Sequence, residues 1–311
     1  MSSDEIPAHY WKNLLKLSTS VQGETQEIPK VLDEESRKWL EDVMKSLVNN
    51  VDPERQLISI MSSLKCYAAS AGDLSEDDVD KVLDLVDRLD MLLQCADLTK
   101  LFVSNCGLIV LEKFLKDCKD DEINVGFALI ISTWAENNPI GQDILRKSPL
   151  FSLLLDIAVD QGKAKALRKS AITAVSATIR SHIPSFEDFL ALNGHLKLAE
   201  IVRNEVELAG KTARTLTSIS FTLNDDEKYR DSLKPTVCEC YVELVNKNVP
   251  VDEIDYIREY ISSSVEPSQV DENLRSQVLD CVNAELGREI EGDNIRVLQT
   301  LRRKFAIRQA G

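Results

Sequence analysis

The chain has little of what breaks a helix. Its 311 residues include 11 glycines and 9 prolines, so long uninterrupted helices are expected. Aromatics make up 5% of the residues and there are three histidines, which leaves little material for acid–base or metal chemistry. No apolar run approaches the roughly 18 residues of a membrane span. The N-terminal MSSDEIPAHYWKNLL starts acidic and lacks the apolar core of a secretory leader. Positive charge is also short. The formal net charge of −15 argues against direct binding to nucleic acid or an anionic membrane, where a basic footprint is needed. Seven cysteines (66, 95, 106, 118, 238, 240, 281) are an odd number scattered through helix-like segments. With no leader, they read as reduced thiols in a cytoplasmic chain, or one also present in the nucleus.

What is present is helical periodicity, with no strand-like alternation of useful length. Apolar residues recur at helical spacing over 32–48. A helix is expected over 54–69 after Pro53. Another follows Ser75, whose spacing to Asp78 marks a capping box. Ser185–Asp188 and Ser268–Asp271 carry the same cue. The stretch 164–181, AKALRKSAITAVSATIRS, is the most informative. Leu167, Ala171, Val175 and Thr178 fall on one face, widened by Ile172 and Ile179. Lys169, Thr173, Ser176 and Arg180 form a polar stripe.

Part of that stripe recurs. Ser132, Ser176 and Ser220 are spaced by 44 residues, as are Glu136, Arg180 and Asn224. The segments ISTWAEN, VSATIRS and ISFTLND therefore read as one unit used three times. Turns at SNCG (104–107), RKSP (146–149), LNG (192–194) and SLKP (232–235) separate short helices from longer ones. A helical repeat in the low-to-mid forties belongs to armadillo or HEAT architectures. The expected fold is all-α: a right-handed α-solenoid of about four armadillo-like repeats, with flanking helices at both ends. Residues 1–30 read as a flexible segment with a short amphipathic stretch, 31–94 as N-terminal flanking helices, 95–248 as the repeat core and 249–311 as C-terminal flanking helices.

No catalytic constellation is present. Cys238 and Cys240, two apart on a helix, point to different faces and cannot chelate one ion. His182 and His195 have no metal-ligand spacing around them, and neither a phosphate-binding glycine loop nor a nucleophile elbow occurs. The chain reads as a non-enzyme without metal or cofactor. A helical stack offers instead a concave surface lined by the third helix of each repeat. On that reading Ser132, Glu136, Thr173, Ser176, Arg180 and Asn224 line a groove. Arg180 either pairs with a partner's carboxylate or holds an internal ion pair with Glu136 or Glu187. Trp134 occurs once, with Thr178 and Thr222 at the matching positions, so the tryptophan ladder of import-type peptide grooves is missing. In residues 1–30, Trp11, Leu14, Leu15 and Leu17 form an apolar cluster that either docks on the chain's own body or enters a partner's groove.

In order and spacing, several segments resemble the cytosolic Hsp70-binding proteins, the armadillo-type nucleotide exchange factors for Hsp70 chaperones. LVDRLDMLLQCADLTKLFVSNCG (85–107) resembles the family's first repeat. ISTWAENNP (131–139) resembles its helix ending in Gln-Asn, with Glu136 where glutamine is usual and Asn137 in place. KSAITAVSATIRSH (169–182) is the nearest match, and FLALNG (189–194) and LLKLSTSVQGE (14–24) also fit. One departure is Asp97-Leu98-Thr99, where the family commonly has Asp-Asn-Ala. The resemblance implies a monomeric co-chaperone whose concave face, with Asp97 at one corner, grips the Hsp70 nucleotide-binding domain and favours a form that holds ADP poorly. It also implies that Trp11, Leu14, Leu15 and Leu17 help clear polypeptide from the chaperone. The other reading of the same residues is a generic armadillo scaffold that recruits another protein or a basic peptide without acting on nucleotide.

Overall fold

Pro53 and Ser75 open helices where the sequence puts them. In a computed structural model of the protein, which describes residues 52–288 and 293–306 together with Lys38, α1 (Pro53–Ala68) starts with proline at its first position. There the missing N–H costs nothing, and Asp52 caps it by accepting from the Glu54 N–H. The helix α2 (Glu76–Leu93) is capped by the Ser75 hydroxyl, which accepts from the Asp78 N–H. The N-terminal residues 1–30, with Trp11, Leu14, Leu15 and Leu17, and the helix expected over 32–48 lie outside the described residues.

The order continues with α3 (Thr99–Ser104), α4 (Gly107–Asp117), α5 (Asp121–Ala135), α6 (Pro139–Arg146), α7 (Pro149–Val159), α8 (Lys165–Ile179), α9 (Ile183–Ala191), α10 (Gly194–Asn204), α11 (Ala209–Thr222), α12 (Lys234–Asn246), α13 (Val251–Ser264), α14 (Glu272–Leu286) and α15 (Asp293–Ala306). Short 3-10 turns stand at Ala71–Asp73, Ala96–Leu98 and Pro267–Gln269. The fold is all-helical, and no strand occurs among the described residues.

Two rows of helices pack side by side. One row is α1, α4, α7, α10, α12 and α14. The other is α2, α5, α8, α11, α13 and α15, each helix resting on its neighbours in the row and on a member of the facing row. The short α3, α6 and α9 link the rows. The seam is continuous past residue 248, because α13 packs on both α11 and α12. The apolar side chains that drive it are buried throughout, among them Leu111, Phe127, Leu154, Val175, Leu216 and Val278.

Two turns show why glycine stands where it does. Gly107 and Gly194 each begin the second helix of a unit, five residues after a buried phenylalanine. A Cβ on Gly107 would sit 2.3 Å from the Phe102 ring, and one on Gly194 would sit 2.2 Å from the Phe189 ring. The rings fill the space a side chain would need.

Two expected caps are elsewhere. Ser185 lies inside the first turn of α9. Its N–H donates to Nδ1 of His182, the residue that caps the helix. Asp271, not Ser268, caps α14, accepting from the Leu274 N–H. Ser268 sits in a separate 3-10 turn closed by a Glu266–Gln269 capping box.

Candidate functional site

The long helices of the second row end in a shared corner, and side chains from the short helices build it. Thr99, at the start of α3, accepts hydrogen bonds from Trp134 Nε1 at 3.2 Å and from Asn138 Nδ2 at 2.8 Å. Asn138 in turn caps α6 by accepting from the Gly141 N–H. Gln142 on α6 donates to the carbonyls of Ala177 at 2.8 Å and Arg180 at 3.0 Å. Helix α5 thus ends against α3, and α8 ends against α6. Both terminate through a left-handed residue one position past the cap, Asn137 at φ 54° and Ser181 at φ 57°.

This fixes Glu136 and Arg180 beside each other. Arg180 NH2 donates to Glu136 Oε1 at 3.2 Å across 44 residues of sequence. Of the two internal partners the sequence allows, Glu136 is therefore the one used. Glu187 instead accepts from the Tyr229 hydroxyl at 2.6 Å and pairs with Lys228. The tyrosine and the lysine hold its carboxyl below the usual range. Glu136, Asn137, Ala177, Arg180, Ser181, Ser218 and Thr222 line a depression of about 150 Å³ between the ends of α5, α8 and α11.

The residues expected in the groove divide. Glu136, Asn137 and Arg180 come together. Ser132 and Thr173 are half-buried on α5 and α8, and the Thr173 hydroxyl donates back to the Lys169 carbonyl. Asn224 is half-buried past the end of α11 and is not part of the depression's lining. Asp97 is exposed in the Ala96–Leu98 turn, two residues from the Thr99 that holds Trp134. Ser176 is a correction: it is buried. Helix α8 is packed by α5, α7 and α11, so its polar stripe does not face solvent as one continuous line. Trp134 is buried too, edge-on to Phe102 with ring centroids 5.3 Å apart, and holds the corner together from inside.

Sequence reasoning missed Lys211, Arg214 and Ser218 on α11. Its signal is an absence. Neither α8 nor α11 contains a single Asp or Glu.

Burial pushes the Cys238 thiol up to about 12 and raises that of Cys240 as well. Among the described residues no group of three His, Cys, Asp or Glu could hold a metal ion, and no helix is long and apolar enough to cross a membrane. Burial holds both His182 and His195 below the ordinary histidine value. At His182, Asp143 and Asp188 oppose this and Arg146 and Lys147 reinforce it. The unfolded chain therefore takes up those protons first, so the stability these two groups contribute is fully present above about pH 6.5 and is lost as pH drops below it. Thermal melts between pH 7.5 and 5.5 should show that decline. It should flatten in the double variant His182→Asn/His195→Gln, where asparagine still caps α9.

The comparisons with known proteins belong beside this geometry. No protein-family model matches the chain. Two curated yeast proteins are similar to it, each described as "Hsp70 nucleotide exchange factor FES1". The one from Scheffersomyces stipitis is 25% identical over 134 residues, covering 43% of this chain and 47% of its own length. The one from Saccharomyces cerevisiae is 26% identical over 160 residues, covering 49% of this chain and 55% of its own length. The chain thus spans about half the length of the curated relatives it matches. The crystal structure of an engineered protein from the Northeast Structural Genomics Consortium superposes with a TM-score of 0.57 at 14% identity. That alignment covers 82% of this chain and 99% of that one, a likeness of fold.

Proposed function

We propose that this chain is a nucleotide exchange factor, a co-chaperone that grips the nucleotide-binding domain of a cytosolic Hsp70 and accelerates ADP release. The observation that carries the reading is the similarity to two exchange factors from different yeasts, each over about half of this chain. The corner at Glu136, Asn137 and Arg180 supports it, since it presents charged and amide groups on a rigid helical frame. On this reading the two rows are a right-handed armadillo-like solenoid of about four repeats, with its core at 95–248 and flanking helices at 31–94 and 249–311. Residues 1–30, through Trp11, Leu14, Leu15 and Leu17, assist substrate release. The protein works as a monomer in the cytoplasm, with a nuclear pool allowed.

The mechanism is linkage rather than chemistry. A binder that prefers the nucleotide-free form of its partner weakens ADP by the ratio of its own two affinities. A coupling of about 3 kcal/mol corresponds to roughly a 150-fold effect. Asp97, Ser132, Asn137, Thr173, Arg180 and Asn224 are the contacts in this reading, Glu136 holds Arg180 until the partner arrives, and buried Ser176 supports them from beneath.

The test is release of fluorescent ADP from purified Hsp70 with and without this protein. Acceleration is expected, and unchanged release overturns the reading. Arg180→Ala should weaken binding roughly ten-fold, about 1.4 kcal/mol. Its thermal midpoint should barely move, because an exposed ion pair such as Arg180–Glu136 is worth only about 0.2–1 kcal/mol.

A further inference from the structure

Acidic residues outnumber basic ones in this chain, 52 to 37, yet two adjacent helices carry only positive charge. Helix α8 bears Lys165, Arg168 and Lys169 and ends on Arg180, while α11 bears Lys211 and Arg214. Neither contains a carboxylate. The two helices pack against each other in the second row. Some of the cations are spoken for. Arg168 is buried in a bidentate pair with Glu205, and Lys165 meets Glu207. Arg180 holds the exposed Glu136, and Arg214 reaches only the backbone carbonyl of Asp252, at 3.2 Å. Glu253 packs over Gly210. No carboxylate among the described residues pairs with Lys169 or Lys211. Lys169 is exposed, and Lys211 is half-buried within electrostatic reach of Lys169, Arg180 and Arg214.

A chain with 52 acidic residues does not lack carboxylates to place there. Like charges held together at a half-buried site oppose one another, and partial burial and those neighbours hold the Lys211 ammonium below the ordinary lysine range. An anion brought to this strip relieves that opposition.

We propose that the strip formed by Lys169, Lys211, Arg214 and Arg180 is a docking surface for an acidic face of a folded partner protein, whose carboxylates complete the ion pairs that the chain leaves open. The net charge of −15 favours a protein whose carboxylates are confined to one face over nucleic acid, whose charge continues along the strand past the strip onto an acidic molecule. The partner's identity as the Hsp70 nucleotide-binding domain rests on the function proposed above, whereas the chemistry of the strip does not. Glu136 is then an internal competitor, to be displaced from Arg180 as the partner's carboxylate arrives.

The 311-residue chain and two charge-reversal variants, Lys169→Glu/Lys211→Glu and the surface-only Lys169→Glu/Arg214→Glu, test this. Circular dichroism melts check the fold of each. Binding to Hsp70 should fall at least ten-fold in both variants. The difference should shrink between about 0.1 M and 1 M salt, as the screening length drops from about 10 Å to about 3 Å. Glu136→Gln should bind more tightly than the native chain. If the native chain accelerates ADP release and folded variants bind and release just as well, the strip is overturned while the exchange reading survives. If the native chain does not bind Hsp70, a short poly-glutamate peptide of about six residues, no longer than the strip, serves as the probe. Salt-sensitive binding that both variants lose supports the strip, and its absence in the native chain overturns it. Preference for a DNA duplex over poly-glutamate overturns the acidic-protein assignment. So does a concentration-dependent self-association, seen by sizing, that the variants abolish.

Discussion

Replacing Glu285 by alanine should lower the stability of the fold by about 3–5 kcal/mol, the range for removing one partner of a buried ion pair. Glu285 and Arg258 are 2% and 1% exposed. The carboxylate takes two donors from the guanidinium and a third from the Tyr241 hydroxyl at 2.6 Å. Those three residues stand on α12, α13 and α14, so one carboxylate joins three helices. Its removal leaves a buried phenol without its acceptor and a buried cation held only by the half-buried Asp255, one turn away on α13. Burial and the adjacent carboxylate raise the phenol's pKa, so it remains a donor in search of one. Urea denaturation is the measurement, and the midpoint should fall at unchanged slope. Glu285→Gln should recover the tyrosine bond but only part of the loss, because the buried guanidinium keeps a single counter-charge, Asp255, at its outer edge. A double variant Arg258→Met/Glu285→Met should be closer to native than either single change, since removing the whole pair also removes its desolvation cost. A Glu285→Ala protein of native stability would mean that the pair is open to solvent.

Trp134→Ala should cost a similar amount, about 3–5 kcal/mol for truncating a buried aromatic. The indole is 1% exposed, packs edge-on against Phe102 and donates to Thr99. Its loss empties the corner beneath Glu136 and Asn137, so partner binding should fall along with stability, unlike the Glu285 case. Trp134→Phe keeps much of the volume and gives up only the bond to Thr99, and should cost about 1–2 kcal/mol. Thermal melts and a binding assay on both variants separate packing from the hydrogen bond. The two deletions should be additive, because α5 shares no packed contact with α12, α13 or α14.

How much of this could be read in advance depended on what each residue reports. Ser75 and Pro53 act locally, through the chain's own N–H groups, and their helices begin as expected. Ser185 matched the same local pattern but lies within the first turn, because His182 is extended at φ −133° and leaves Ile183 and Pro184 already helical. The 44-residue recurrence placed Glu136 beside Arg180 correctly, since repeated spacing reports on stacking. Ser176 was misplaced because helical periodicity assumes one buried face, and α8 is covered by three neighbours. A small hydroxyl can sit on either side of that boundary. Lys211 and Arg214 carry no periodic signal. Their meaning comes from the lack of acid around them, which shows only once α8 and α11 are known to touch.

The two rows of helices have a consequence for cooperativity. Among the described residues, no principal contact joins helices more than three apart in chain order. Each helix is stabilised by its nearest neighbours, as in a linear chain of coupled spins, and long-range closure contributes nothing. Local contacts of this kind favour rapid folding from any interior nucleus. Among the described residues, α15 has a row neighbour on one side only and should exchange its amide hydrogens early, while α5 and α8, enclosed on both sides, exchange last. The surface that bears Arg180 is thus carried by the segment slowest to open.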